Sequence, residues 1–292
     1  MSEFPESEKY ATDFKHKDGS TAYVFSSQSE PTVDLHFKWM KEYGIDGVFL
    51  QRFAHDVLEG GHHQWEILRP SNNKILGYVQ KGARNNGRAF SIMYDLSGIR
   101  HGEMSMVMDD WRAICDQFDL LNDPNYLHEG GKPLVAIWGV GFSDRRKYTL
   151  VEVAAFIDFL KNDPKYGNCS VMLGVPTHWR ALEKDTVSDP MLHDLIRRSD
   201  VVLPWLVGRY GGSQTALRWG EEQIAPDQNW CNANGVRYMP LAFPGFSWAN
   251  RYAAENAKFN RIPRENGLFL WSQAVAAKRA GADTLYIAMF DE

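Results

Sequence analysis

The sequence predicts an α/β protein that folds as a single (β/α)8 TIM barrel. Seven short apolar runs recur along the chain, and each is followed by a polar loop and then by a segment with helical periodicity. The runs are almost continuously hydrophobic, as is typical of parallel strands that are buried on both faces. A chain of 292 residues, 44% of them hydrophobic, also suits one such barrel. No G-x-G-x-x-G motif follows the first run and no P-loop is present, which disfavours a nucleotide-binding open sheet.

The seven runs are assigned to strands of one domain. They are GVFLQRF from Gly47, AFSIMYDL from Ala89, PLVAIWGV from Pro133, SVMLGVP from Ser170, VVLPWLV from Val201, RYMPLAFPGF from Arg237 and TLYIAMFDE from Thr284. A closed barrel needs an eighth strand, for which residues 23–27 (YVFSS) are the candidate, the alternative being a first strand upstream of Met1. Glu292 ends the final predicted strand, so the last covering helix is also expected outside this chain. We therefore expect residues 1–46 to form an N-terminal loop region and the first barrel helix, and residues 47–292 to contribute strands two to eight.

The first predicted helix has a clear start, stripe and end. Pro31 suits the first helical position. Val33, Phe37 and Met40 then fall on one face, and Gly44 is placed to end the helix before the strand at Gly47.

Two further helices carry comparable signals. Thr149 and Glu152 have the spacing of a capping box, in which side chains and backbone amides bond reciprocally at a helix start. The apolar stripe behind that box consists of Val153, Ile157 and Leu160. The last helix is predicted over residues 268–280, stopping at Gly281.

Composition excludes several classes of function. Thirty-two basic and thirty-seven acidic residues give a net charge of -5, so nothing favours binding to nucleic acid or anionic lipid. No apolar run is long enough to span a membrane, and the N-terminal stretch is too polar for a signal peptide. Cys115, Cys169 and Cys231 are widely spaced and form no C-x-x-C pair, which predicts free, buried thiols. No cofactor is expected.

Candidate functional residues follow the predicted strands, because barrel active sites form at the carboxyl ends of strands. These positions hold Gln51, Arg52, Phe53, Tyr94, Asp95, Trp138, Thr177, His178, Trp179, Arg180, Trp205, Arg209, Tyr210, Phe246, Ser247, Trp248, Asp291 and Glu292. Aromatic faces stack on sugar rings, while amides, guanidinium groups, imidazoles and carboxylates bind hydroxyls. The set therefore predicts a carbohydrate cleft, the alternative being that several Trp side chains cap the barrel core beneath long loops.

Three strand-end carboxylates are candidates for acid–base chemistry. Glycosidic bond cleavage usually uses two carboxyl groups, one protonated and one ionised. Asp291 and Glu292 are adjacent in a strand and so point to opposite faces, which prevents them from acting as a pair. One of these two is therefore expected to support the site or to pair with an Arg, and Asp95 is the third candidate.

Two other patterns are weaker. His62 and His63 lie in a loop near Glu59 and Glu66, but the spacing matches no zinc motif, and a solvated or cleft-lining loop is the simpler interpretation. The GFSWA string around Ser247 lacks the second glycine and the following helix of a serine hydrolase.

Several strings, taken in order, resemble one family. They are DLHFKWMKEYGIDGVFLQRF, FSIMYDLSG, GKPLVAIWGVGF, GVPTHWR, VGRYGG, PLAFPGFSW, IPR-x-x-G-x-FLW-x-Q and YIAMFDE. Together they resemble the bacterial glycoside hydrolase family 99/71-like proteins, relatives of endo-α-mannosidases and α-1,3-glucanases. The resemblance covers the whole chain and implies a (β/α)8 barrel with metal-independent cleavage of α-linked glycans. Such relatives are often exported, which implies a secreted or periplasmic protein.

The resemblance also implies roles for individual residues. Glu292 matches the first Glu of an E-x-x-E pair, which deprotonates the sugar's own 2-hydroxyl, and the second Glu would lie three residues beyond this chain. The family's first strand would likewise lie before Met1, so the chain is expected to be trimmed at both ends. Asp95 corresponds to an acidic residue of the sugar site and is counted as catalytic with Glu292. The expected substrate-binding residues are Gln51, Arg52, Tyr94, Trp138, His178, Trp179, Arg209, Tyr210, Trp248 and Asp291.

Three hypotheses follow. The first is a retaining α-glycan hydrolase with substrate 2-hydroxyl assistance, acting on an oligosaccharide or polysaccharide. The second is a catalytically silent carbohydrate-binding barrel. The third is a barrel enzyme that uses a metal at His62 and His63.

Overall fold

A computed structural model of the protein describes residues 9–247, 249 and 259–290; Trp248, Asp291 and Glu292 lie outside them. The chain forms two compact units, one of Met1–Ala136 with Asn162–Cys169 and one of Ile137–Lys161 with Ser170–Glu292. The strands are β1 (Tyr10–Lys15), β2 (Thr21–Val24), β3 (Gly47–Phe53), β4 (Ala89–Asp95), β5 (His128–Glu129), β6 (Lys132–Trp138), β7 (Ser170–Val175), β8 (Val201–Pro204), β9 (Arg237–Tyr238), β10 (Leu241–Ala242) and β11 (Tyr286–Ile287). The α-helices whose bounds lie within the described residues are α1 (Glu30–Glu42), α2 (Ala54–Val57), α3 (Trp65–Asn86), α4 (Met104–Phe118), α5 (Leu150–Asn162), α6 (Met191–Arg198), α7 (Ser213–Trp219), α8 (Ala225–Asn234) and α9 (Leu268–Arg279).

The first unit contains a parallel strand pair in full register. β3 pairs with β4 from Gly47 opposite Ala89 to Phe53 opposite Asp95, and β6 follows β4 in the same sheet. The predicted stripe of α1 is buried, with Phe37 only 1% exposed. Gly82 of α3 permits this contact, because a Cβ there would lie 2.6 Å from the Phe37 ring.

Residues 23–27 do not supply an additional parallel strand. β2 covers Thr21–Val24 and pairs antiparallel with β1 as a hairpin, so this expectation was wrong. The reason is a tight turn: Gly19 has a φ of 83°, and the Asp18 carboxylate accepts a hydrogen bond from the Ser20 amide at 2.9 Å. Asp-Gly between two short β-prone runs is a hairpin signal.

The second unit contains a parallel set of short strands. β7 pairs with β8, β8 pairs with β9, and β10 pairs with β11, all parallel. The run predicted as one strand from Arg237 is divided into β9 and β10 at Met239 and Pro240. Proline has no amide hydrogen for a strand ladder, although its carbonyl still accepts a bond from the Tyr286 amide at 2.9 Å.

The helix predictions for the second unit are confirmed. The Thr149 amide donates to the Glu152 carboxylate at 2.8 Å, and the Glu152 amide donates to the Thr149 hydroxyl at 3.2 Å, which is the expected capping box. Val153, Ile157 and Leu160 behind it are fully buried. α9 ends at Arg279, and Gly281 follows with a φ of 94°.

The three cysteines are free and buried, as predicted. Burial raises the pKa of the Cys169 and Cys231 thiols to about 12 and that of Cys115 further still, so all three stay protonated at neutral pH. Among the described residues, no helix is long and apolar enough to cross a bilayer.

Candidate functional site

Gln51 and Asp95 meet at the carboxyl ends of β3 and β4. Because β3 pairs with β4 in register, Gln51 and Asp95 fall on the same face of the sheet. The Gln51 amide nitrogen donates to Asp95 Oδ2 at 2.7 Å, and the Ser97 backbone amide donates to Asp95 Oδ1 at 2.8 Å. Asp95 is only 3% exposed. It is therefore a fixed acceptor that orients Gln51, whose own carbonyl oxygen can face a ligand.

Arg52 and Tyr94 lie on the opposite face, against helices α3 and α4. Arg52 donates two hydrogen bonds to Asp110 of α4, both at 2.7 Å, and one to Asn73 of α3 at 2.9 Å. The Tyr94 hydroxyl donates to the same carboxylate at 2.7 Å. Arg52 is 2% exposed and Tyr94 is fully buried. Strand alternation thus places these two expected substrate-binding residues in a buried ionic network, with no side-chain surface for a ligand.

Burial and the shared carboxylate set the protonation states of Tyr94 and Arg52. Burial raises the pKa of the Tyr94 hydroxyl well above its ordinary value, so the group stays a hydrogen-bond donor. For Arg52, burial alone would lower the pKa, but the hydrogen bonds and charge of Asp110 raise it. The buried cation and anion therefore depend on each other.

Three histidines cluster just after β3, in α2 and the loop behind it. The His55 ring packs on Gly98, where a Cβ would lie 2.9 Å from the ring. The rings of His62 and His63 are 4.1 Å apart, and His62 Nδ1 accepts a bond from the Gln64 amide at 3.1 Å. In the part of the chain that the structure describes, no three His, Cys, Asp or Glu side chains are arranged to hold a metal ion.

The second unit presents an aromatic pair at strand ends. Trp138 ends β6 and lies edge-on to Trp205, which follows β8, with ring centroids 5.0 Å apart. Both are partly exposed. Gly174 of β7 makes room for this arrangement, because a Cβ there would lie 2.1 Å from the Trp138 ring. The exposed aromatic surface can stack on an apolar face of a ligand.

A polar cluster lies next to β7 and β8 in the same unit. His178 Nδ1 is 2.9 Å from Asp185 Oδ1, and the Arg209 guanidinium donates to Asp185 Oδ2 at 2.7 Å. Arg209 also donates to the Thr177 hydroxyl at 2.8 Å. Burial alone would raise the pKa of Asp185, but its hydrogen bond from His178 and the charge of Arg209 lower it overall, so the carboxyl is ionised. The structure thus brings His178 and Arg209 together through a carboxylate that the sequence did not single out.

Trp179 and Tyr210 are buried within the second unit. Trp179 is fully buried, edge-on to Trp230 at 4.9 Å. Tyr210 is 8% exposed, and its hydroxyl donates to Gln273 of α9 at 2.9 Å. Burial raises the pKa of that hydroxyl above its ordinary range. Both side chains pack in the interior of the unit, so a ligand could contact at most the edge of a ring.

Sequence reasoning missed Asp110, Asp185 and Gln273, each of which fixes a residue that it did select. All three lie in helices or loops away from the strand ends, at sequence separations that no short motif covers. His55, the second residue of α2, was not selected either, although it lies two residues after the end of β3. The expected site residues Trp248, Asp291 and Glu292 lie outside the described residues.

The fold is similar to those of several solved glycoside hydrolases. No family model and no curated protein matches the sequence. Among solved structures, the GH99 endo-α-mannosidase from Bacteroides thetaiotaomicron in complex with Bis-Tris-propane matches with a TM-score of 0.64 and 15% identity, over 96% of this chain and 75% of that chain. A second structure of a GH99 endo-α-mannosidase from that organism gives a TM-score of 0.63 and 16% identity, over 96% and 71%. A glycoside hydrolase-like protein gives 0.65 and 14%, over 99% and 82%.

These similarities concern the fold. They confirm the predicted α/β class with parallel strands, shared with TIM-barrel glycoside hydrolases, and the resemblance to family 99 proteins. At 14 to 16% identity they assign no residue roles.

Proposed function

We propose that this protein is a glycoside hydrolase that cleaves an α-linked glycan, an α-mannan or a related polysaccharide. The observation that carries the proposal is the match of 96% of the chain to a solved GH99 endo-α-mannosidase. The polar and aromatic side chains at the strand ends support a carbohydrate ligand, because they combine hydrogen-bonding groups with exposed ring surface. The single-domain organisation, with residues 1–46 preceding strands two to eight in residues 47–292, is part of the same proposal.

Asp95 and Gln51 are assigned to binding one part of the sugar. Both Asp95 oxygens accept hydrogen bonds from the protein and the side chain is nearly buried. Its role is therefore to hold Gln51, whose carbonyl oxygen accepts a bond from a sugar hydroxyl. If Asp95 has this supporting role, a variant at Asp95 should lose substrate affinity more than turnover.

Trp138, His178 and Arg209 are assigned to ligand contacts in the second unit. Trp138 offers ring surface beside Trp205, and the two polar side chains are held by Asp185. Trp248 and Asp291 are retained as substrate-binding residues from their positions in the sequence. Side-chain burial argues for structural roles at Arg52, Tyr94, Trp179 and Tyr210 instead.

Glu292 is proposed as the base of a retaining mechanism. Its carboxylate takes the proton of the substrate 2-hydroxyl, the resulting oxygen attacks C1, and the glycosidic C–O bond breaks. The leaving oxygen takes a proton from a general acid, the role that the family resemblance implies for the second Glu of the E-x-x-E pair. Water then attacks C1 of the 1,2-anhydro sugar and gives a proton to the ionised general acid, while the 2-oxygen regains its proton from Glu292, so both carboxyl groups are restored and the anomeric configuration is retained overall.

The test compares Glu292→Gln with wild-type protein on α-linked manno-oligosaccharides. Release of reducing ends should fall at least ~100-fold, because a general base typically contributes 10²–10⁴-fold. Glu42→Gln, at the exposed end of α1, is the matched control and should behave as wild type. Unchanged turnover in Glu292→Gln, or a first product of inverted configuration by proton NMR, contradicts the mechanism. Turnover that persists after exhaustive chelation excludes an essential metal at His62 and His63.

A carbohydrate-binding protein without catalysis is the second candidate. The partly exposed Trp138–Trp205 pair favours it, because stacking on a sugar needs no carboxylate. Quenching or enhancement of tryptophan fluorescence by an oligosaccharide, with no release of reducing ends by the wild-type protein, would support this function over hydrolysis.

A further inference from the structure

Asp185 holds one imidazole and one guanidinium group at the same time. His178 Nδ1 lies 2.9 Å from Oδ1, and Arg209 donates to Oδ2 at 2.7 Å. The backbone amides of Thr177 and His178 also donate to this carboxylate, both at 3.2 Å. The carboxylate lies in a loop but receives four hydrogen bonds, so its position relative to the His178 ring is fixed.

The contact with Asp185 determines which ring nitrogen of His178 carries the proton. An ionised carboxylate has no proton to donate, so the bond at Nδ1 requires a hydrogen on Nδ1. In the neutral imidazole, Nε2 is then an acceptor with a free lone pair. Nε2 forms no hydrogen bond with any residue that the structure describes, and the His178 side chain is 15% exposed.

The charges of this cluster favour a neutral ligand. The negative charge of Asp185 is balanced by the positive charge of Arg209, and an imidazole with its proton on Nδ1 alone adds no charge. A sugar carboxylate would meet no excess positive charge, whereas a hydroxyl can donate its hydrogen to Nε2. The indole ring of Trp219 lies 6.5 Å from the His178 ring and edge-on to it.

We propose that Asp185 is a positioning residue that holds His178 in the Nδ1–H tautomer, so that Nε2 accepts a hydrogen bond from a hydroxyl of a neutral sugar. The ligand class rests on the proposed function, whereas the tautomer does not. Asp185 touches no ligand itself. Its part is to keep the Nε2 lone pair of His178 free to accept a hydrogen bond.

The experiment records nitrogen-15 NMR spectra of the full chain labelled in histidine. His178→Gln identifies the His178 signals by their loss. In wild-type protein, Nε2 should show the unprotonated shift and Nδ1 the protonated one; in Asp185→Asn both should move toward the average of mixed tautomers. The signals of His128, whose Nδ1 lies 2.7 Å from the Tyr126 carbonyl, should stay unchanged and act as an internal control. A protonated Nε2 in the wild type overturns the proposal.

The ligand is tested with α-linked mannobiose on the same samples. Mannobiose should shift the Nε2 signal of the wild type, and Asp185→Asn should bind about tenfold more weakly, as expected for one misoriented hydrogen bond. Asp185→Glu should recover part of the affinity, which a purely structural role would not predict. A galacturonate disaccharide should bind no better than mannobiose, and tighter binding of the acid overturns the neutral-ligand assignment.

The two proposals fail in different ways. If hydrolysis is absent but mannobiose still shifts Nε2, the mechanism at Glu292 is contradicted and the inference about His178 stands. If the tautomer is as expected and neither sugar perturbs Nε2, the hydroxyl-binding role is overturned, while Asp185 still holds the ring.

Discussion

Removing the charge of Asp110 should destabilise the protein more than any other single isosteric change in the first unit. Asp110 is 2% exposed and accepts two bonds from Arg52 and one from Tyr94, all at 2.7 Å. Asp110→Asn keeps the shape but leaves the Arg52 cation buried without its anion. Breaking a buried pair in this way costs about 3–5 kcal/mol of unfolding free energy.

Two comparison variants separate charge from hydrogen bonding. Tyr94→Phe removes one neutral donor and leaves the ion pair, so it should cost about 1 kcal/mol. The double variant Arg52→Met with Asp110→Leu removes both charges and replaces them with apolar volume. It should be more stable than Asp110→Asn, because no uncompensated charge remains.

The assay is urea unfolding followed by circular dichroism, with free energies from linear extrapolation. A loss below about 1 kcal/mol for Asp110→Asn, or a double variant no more stable than Asp110→Asn, would refute the reasoning. The same set also distinguishes a ligand role for Arg52. If Arg52 contacts substrate, the double variant loses substrate affinity while it regains stability; if Arg52 is structural, affinity is retained.

Three further predictions concern packing, capping and pH. Gly174→Ala should displace the Trp138 ring, lowering unfolding free energy by about 1–3 kcal/mol and shifting tryptophan emission, whereas Gly77→Ala, whose Cβ would meet an atom only at 3.6 Å, should do neither. Thr149→Ala should lower the melting temperature through a cap loss of about 1 kcal/mol and Thr149→Ser should restore it; equal melting temperatures would show that the capping box contributes nothing. Burial raises the pKa of Asp227 from 3.8 to about 6. The stability that its protonated form contributes is therefore complete below pH 3.8 and is lost as the pH rises through the pKa of the folded state, about 6. As the pH rises between these two values, the unfolding free energy of Asp227→Asn should therefore rise by about 3 kcal/mol relative to that of the wild type. A difference in melting temperature that is constant from pH 5 to 7.5 would contradict this prediction.

The positions of the strands could be predicted because buried parallel strands need continuous apolar runs. The runs at Gly47, Ala89, Pro133, Ser170 and Val201 all became strands within a residue or so of their predicted starts. The later runs became shorter strands, since hydrophobicity alone does not show where a proline or a bend interrupts a ladder. The hydrophobic pattern also did not predict which strands pair with each other, as the β1–β2 hairpin shows.

The sequence predicted which positions lie at the candidate site, but not the direction in which each side chain points. Gln51 and Arg52 are neighbours at one strand end, and the sequence offers equal reasons to choose either. Which of the two faces the helices depends on Asp110, 58 residues away from Arg52 in the chain. The tautomer of His178 depends in the same way on Asp185, a loop residue whose position is set by its own bonds to backbone amides.

The hydrogen-bond network around Asp110 also fixes the register of β3 in the sheet. A slip of β3 by one residue would turn all of its side chains to the other face of the sheet. Gln51 would then meet the Asp110 carboxylate in place of Arg52, and the Arg52 cation would leave its anion behind. In that misaligned pairing one charge would stay buried without a partner, so the ion pair strongly disfavours it. The placement of Gln51 against Asp95 is thus enforced from the far side of the sheet, by a buried ion pair.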